Sequence, residues 1–335
     1  MASNNKLPLT LVCHNNHFKK VFFACNLIHI CYKLQIMKSY DQPKAKQAEI
    51  AQLILLESLF SLRESKEVCF QGGTAIRWFY GGMRFSEDLD FVTSLSRERV
   101  VALMKSAGEA IRRQMVANFG AGTFTLKEKK GHPSFYKAFI QFQPAAVRSK
   151  ISVKIEFEKL VPGVKPDAEP KIMQASPTVA HFLQEGGFKT PGASVIVNVE
   201  TVHEILSDKL RALLERPYKK GRDFFDVWFL TKTLRIDPDA SMLKRKLDMY
   251  EVPFTSSTPL SFYTQLDLLK GKDRQSLSKK INLDLARFLN TETVEILSNN
   301  DYDELILAAQ NAFRRVEAKG IIDFSLYPER KGARD

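Results

Sequence analysis

Along the first part of the chain, helical and strand periods of apolar residues follow one another in turn. Ala48, Ala51, Leu55, Leu59 and Leu62 return every three or four residues, which predicts an amphipathic helix from Pro43 to Ser65. Val68-Cys69-Phe70 is a short apolar run ending on Gly72-Gly73, the pattern of a buried strand and a turn. Thr74 to Tyr80 predicts a short helix stopped by Gly81-Gly82, and Leu89 to Val92 a second strand. Ser96, with Glu98 in the first turn, caps a helix running to about Asn118.

Strands follow over Thr123–Lys127, Tyr136–Phe142 and Ile151–Phe157. In the last, Ile151, Val153, Ile155 and Phe157 face one way, and Ser152, Lys154, Glu156 and Glu158 the other. Residues 160–192 are rich in Pro, Gly and polar groups, with room for one helix, and Val195–Val199 reads as another strand. From Thr201 on the pattern is helical: Thr201–Glu215, stopped by Pro217, then Arg222–Leu234, then further helices to about Lys319. This order predicts an α+β fold, a mixed-sheet domain over 37–200 followed by a helical C-terminal domain over 201–335.

Residues 1–36 differ from the rest. Lys19-Lys20 and the apolar run Val21–Ile30 imitate a targeting segment, but Asn26 and His29 interrupt the run and no small-residue cleavage pattern follows. It is too short and polar to span a membrane. Cys13, His17, Cys25, His29 and Cys31 lack the tight knuckle of a structural zinc site. The expectation is an N-terminal extension or an over-called start, with the folded part beginning near Met37. Three of the four cysteines fall here, so no disulfide framework crosses the body of the chain, and a cytoplasmic location is expected.

Charge narrows the class of partner. Lys and Arg total 50 against 38 Asp and Glu, a formal net charge of +12, which favours polyanions such as nucleoside triphosphates or RNA. The candidate chemistry lies in Gln71-Gly72-Gly73-Thr74 and Phe85-Ser86-Glu87-Asp88-Leu89-Asp90-Phe91. Two glycines between strand and helix allow backbone N–H groups to approach a phosphate. Asp88 and Asp90, one residue apart on a strand, share a face, and a divalent cation relieves their repulsion. An isolated pair of this kind is more often two solvated acids, so the pair alone decides nothing.

The full string from Gln71 to Phe91 resembles the signature of the DNA polymerase β-like nucleotidyltransferase superfamily, and most closely its AbiEii/AbiGii toxin branch. A second anchor is Glu204-Ile-Leu-Ser-Asp-Lys-Leu-Arg-Ala-Leu-Leu-Glu-Arg216 followed by Gly221-Arg-Asp-Phe-Phe-Asp-Val-Trp228. The resemblance implies that Gly72, Gly73, Thr74 and Ser86 hold a nucleoside triphosphate, with Arg77 and Arg84 anchoring phosphates or bracing the acids. Asp88 and Asp90 would ligate magnesium (manganese as its alternative), with a third carboxylate from Glu156 or Glu158. Lys209 would be the active-site lysine and Asp223 a catalytic acid, with one of Asp223 and Asp226 fixing Arg222 or Lys209. The neighbours of Lys209 one turn away, Ile205, Leu206, Ala212 and Leu213, are apolar, so its anion must come from elsewhere.

The function implied is nucleotidyl transfer to RNA, the 3′ end of tRNA foremost, by the toxin of a toxin–antitoxin or abortive-infection system, with an antitoxin as partner. Two alternatives stand beside it. One is transfer to a small molecule or protein side chain, which the many lysines between Lys244 and Lys280 disfavour. The other is a non-catalytic nucleotide- or RNA-binding module, against which both aspartates are present.

Overall fold

The computed structural model describes residues 43–131, 133–185, 189 and 194–330. The expectations for residues 1–36 lie outside them. Helix α1 (Pro43–Phe60) is shorter than its apolar period predicts, because the chain turns through a 3₁₀ segment, Arg63–Glu67, before strand β1 (Val68–Gln71). The glycine pair is no turn: helix α2 (Gly72–Phe79) begins on it directly. Strand β2 (Asp88–Thr93) follows, then helix α3 (Arg97–Phe119), whose first turn is capped by the Ser96 hydroxyl accepting from Arg99 N–H.

Strands β3 (Gly122–Lys129), β4 (Phe135–Pro144) and β5 (Ile151–Lys159) form a meander. The stretch expected to be mostly loop holds both strand β6 (Ala168–Ile172) and helix α4 (Pro177–Gln184). β6 escapes a pattern reading because none of its residues is buried; pairing with β7 (Ile196–Glu200) defines it. Helices α5 (Val202–Glu215) and α6 (Gly221–Trp228) come next, and α6 runs on into a π-helical turn, Phe229–Thr233. Helices α7 (Ala240–Asp248), α8 (Leu260–Thr264), α9 (Gly271–Leu285), α10 (Thr291–Ser298) and α11 (Asp303–Ala318) complete the helical part. The fold is α+β with a mixed sheet, as expected. No described helix is long and apolar enough to cross a membrane.

The seven strands lie in the order β3-β4-β5-β2-β1-β7-β6. β2 is central, parallel to β5 and antiparallel to β1. Its alternation decides everything that follows. Leu89 and Phe91 point into the core beneath α1 and α3, where Phe91 stacks on Phe157 at 4.8 Å between ring centroids. Asp88 and Asp90 therefore point to the other face. Val92 on that face meets Cys69, Leu160, Met249 and Tyr250 in a small second core, so the acids open to solvent only at one end of the strand.

Candidate active site

A cleft of about 370 Å³ lies between this face of the sheet and helix α5. Asp90, Glu156, Glu158 and Gly72 line its floor; Lys209, Arg211 and Arg216 line its roof.

The floor is built by register. β2 and β5 pair Asp88 with Lys154 and Asp90 with Glu156, so the carboxylates of two strands stand side by side. Glu158 is placed differently: it lies beside Val92 and binds Arg211 at 3.0 Å, which singles out Glu156 as the acid next to Asp90. Lys154 bridges Asp88 at 2.6 Å and Glu156 at 3.3 Å, and Lys137 from β4 also binds Glu156. Among the described residues, no three His, Cys, Asp or Glu side chains converge closely enough to hold a metal as they stand. Among the described residues, Asp90 itself makes no ion pair. Burial, then the charges of Asp88 and Glu156, push its carboxyl up to about 6. An oxygen-only set with one uncompensated acid suits a hard divalent cation.

The glycine pair serves this floor and its support. Gly72 has φ +80°, and a Cβ there would sit 2.9 Å from Asp90 Oδ2. A Cβ on Gly73 would collide with the Arg84 guanidinium. Gly72 thus lines the cleft, whereas the space beside Gly73 is taken by Arg84. Thr74 is fully buried and donates its hydroxyl to the Asp88 carbonyl, so it positions β2 and has no hydroxyl proton left to donate to a phosphate. Ser86, two residues before Asp88, is half-buried, and its carbonyl accepts from Gln52 Nε2 at 2.6 Å. Arg77 departs from the expectation. It is buried away from the acids, donating to Glu49 at 3.0 Å and to the Gly82 carbonyl, and so ties α2 to α1.

The roof is a closed ionic network. Lys209 Nζ lies 2.7 Å from Asp226 and 3.6 Å from Asp223, which supplies the anion that its apolar neighbours lack. Asp226 accepts from Arg84 Nε at 2.5 Å and Nη2 at 2.6 Å, a bidentate pair with almost no exposure. Arg84 therefore braces an acid. Asp223 binds Arg216. Burial would raise Asp223, but Arg216, Lys209 and their basic neighbours outweigh it and hold the carboxyl down to about 2. Arg222 is not fixed by either acid; its backbone N–H donates to Asp284 and its guanidinium lies over Phe288.

Sequence reading missed Arg216 as the partner of Asp223, and Arg211 as the partner of Glu158. The i,i+4 spacing of Arg211 and Glu215 was the available signal for the second. Also missed was a second buried lysine. Lys246 is fully enclosed and binds Glu200 and Asp208 at 2.8 Å each and Glu204 at 3.1 Å. Its one local partner is the Tyr250 hydroxyl, and no local pattern marks it as buried because its acidic partners lie about 40 residues away.

The fold has relatives of known structure. A Helicobacter pylori protein described as a candidate nucleotidyltransferase superposes with TM-score 0.50 at 17% identity, covering 83% of this chain and 98% of that one. JHP933 from Helicobacter pylori aligns with TM-score 0.47 at 17% identity, covering 83% and 96%. No curated protein matches the chain. The family model of the nucleotidyl transferase AbiEii toxin of type IV toxin–antitoxin systems matches residues 54–315, and the chain belongs to that family of nucleotidyltransferases.

Proposed function

We propose that the protein moves a nucleoside monophosphate from a nucleoside triphosphate to the 3′ end of an RNA, tRNA foremost, with magnesium as its metal and manganese as the alternative. The toxin role comes with an antitoxin partner. The observation that carries the reading is Asp90, a half-buried acid lining the cleft beside two other carboxylates and, among the described residues, without an ion pair of its own.

Asp88, Asp90 and Glu156 would hold the metal, exchanging the contacts of Lys154 and Lys137 for it. A bound divalent cation supplies charge neutralisation at the attacking and leaving oxygens. Lys209 and Arg216, both lining the cleft, meet the phosphates. Gly72 lines that side of the pocket, and Ser86 would hold a phosphate through its hydroxyl, as the family resemblance implies. Asp223 is too weak a base near 2 to take a proton from an attacking hydroxyl, so its part is to aim Arg216 and Lys209. The helical part from Thr201 on supplies these groups and would form one unit, with 37–200 as the other.

The test is incubation with magnesium, each α-labelled nucleoside triphosphate in turn and total tRNA, comparing wild type with Asp90→Ala. Label entering RNA with the wild type alone is the expected result. Label entering protein or small molecules would move the acceptor. No transfer with any nucleotide would overturn the reading.

A further inference from the structure

The acid-bearing face of the sheet continues beyond β5. Register carries it outward: Phe135, Lys137, Phe139 and Gln141 of β4 stand beside Glu158, Glu156, Lys154 and Ser152. Thr123, Thr125, Lys127 and Lys129 of β3 stand beside Gln143, Gln141, Phe139 and Lys137. The intervening Tyr136, Ala138, Ile140 and Phe142 are buried in the core, which settles the direction of the rest.

This outer face has a distinct chemistry. Thr123, Thr125, Lys127 and Lys129 are exposed, and Phe139, Gln141 and Gln143 partly so. None of the β3 and β4 residues on it is acidic; Glu128 belongs to the opposite face, where it pairs with Arg97. The Lys129 ammonium lies 5.2 Å from the centroid of the partly exposed Phe139 ring, a cation on the ring face that a stacking base would displace toward its phosphate. At the hairpin end, Lys130 and Lys137 border the cleft.

A sheet face offering the Phe139 ring, the exposed ammonium groups of Lys127 and Lys129, and amides and hydroxyls between them suits unpaired nucleotides. Bases stack on the ring, phosphates meet the lysines, and base edges meet the amides. A duplex hides its base faces and could use only the charge. From β2 to β3 are three interstrand steps, about 14 Å, enough for roughly four stacked nucleotides.

We propose that the open face of β4 and β3 holds the unpaired 3′ segment of the acceptor polynucleotide, with a base on Phe139 and phosphates on Lys127 and Lys129, and leads its terminal hydroxyl into the cleft. This rests on the reading of RNA as acceptor.

The test uses the full chain and fluorescence anisotropy with a labelled single-stranded RNA of about twelve nucleotides, against the blunt duplex of the same sequence. The single strand should bind more tightly than the duplex. Phe139→Ala should weaken single-strand binding at least about fivefold, and Phe139→Trp should restore it. Lys127→Gln with Lys129→Gln should lower the slope of log affinity against log salt by about 1.4. Binding of a fluorescent nucleoside triphosphate should be unchanged in all three, which also reports that the cleft is folded. Duplex binding equal to single-strand binding, or wild-type affinity in Phe139→Ala, would overturn the surface. If the wild type still labels RNA in that case, the acceptor reading stands without it. If the wild type neither binds nor labels RNA, both fall.

Discussion

Asp90, half-buried on the floor of the cleft, and Asp223, buried behind its roof, are both carboxyls partly removed from water, yet one is pushed up to about 6 and the other down to about 2. Burial acts on both in the same direction, so the difference lies in the company each keeps. Arg216 and Lys209 reach Asp223, and Arg84 and Lys209 reach Asp226. The roof is neutralised by the chain itself. On the floor, Lys154 and Lys137 serve Asp88 and Glu156, and Asp90 is left with two like charges beside it. On the proposed reading, the acids completed by the chain's own cations aim Lys209 and Arg216, and the acids short of one would receive a charge from outside.

The largest expected effect comes from breaking the floor. Asp90→Asn should cut nucleotidyl transfer by at least about 10³-fold while the protein stays folded, measured by label transfer alongside circular dichroism. It should also raise stability at neutral pH, because it removes a disfavoured charge. A transfer rate near that of the wild type would show that the floor is not where the chemistry occurs.

Breaking the roof should do the reverse. Arg84→Met strands the buried Asp226 carboxylate and should cost about 3–5 kcal/mol in urea denaturation. A loss under about 1 kcal/mol would mean that Lys209 alone neutralises Asp226.

Magnesium sharpens the contrast between the two. At a hundredfold excess over its dissociation constant it should stabilise the wild type by about 2.7 kcal/mol, and should do nothing for Asp90→Asn. Equal stabilisation of both proteins would place the ion elsewhere.

The smallest expected effects are in pH, and their signs oppose. Asp90 is raised in the folded state, so its contribution to stability is lost as pH rises from about 4 through about 6, at most roughly 3 kcal/mol. Asp223 is depressed, so its contribution is present above about 4 and lost as pH falls toward 2, roughly 2 kcal/mol. Metal-free urea titrations of Asp90→Asn and Asp223→Asn should each abolish one of these limbs and leave the other.

The two kinds of lysine show how far the sequence reaches. Lys209 was legible as a group needing a distant anion, because its helical neighbours are apolar. Lys246 is more deeply buried, yet nothing around it in the chain announces this. Its neighbours within α7 include other charges, and only the packing of α7 against α5 brings Glu204 and Asp208 to it. Arg77 teaches the same lesson in the other direction: a position inside the signature string proved to be a brace to Glu49.

What the sequence determined by itself was whatever short-range rules govern. The Ser96 cap, the alternation of β2 and β5, and hence the shared face of Asp88 and Asp90, all follow from residues within a few positions of one another, whereas α1, read as amphipathic, is buried all round from Glu49 to Leu59. Tertiary structure alone decided the rest. The placing of Glu156 rather than Glu158 beside Asp90 came from strand register, the purpose of Gly73 from the arrival of Arg84, and the opposite shifts of the Asp90 and Asp223 carboxyls from which cations the fold carried within reach. Burial and Coulomb interaction depend on distance in space, and chain separation does not set that distance until the sheet and helices have packed.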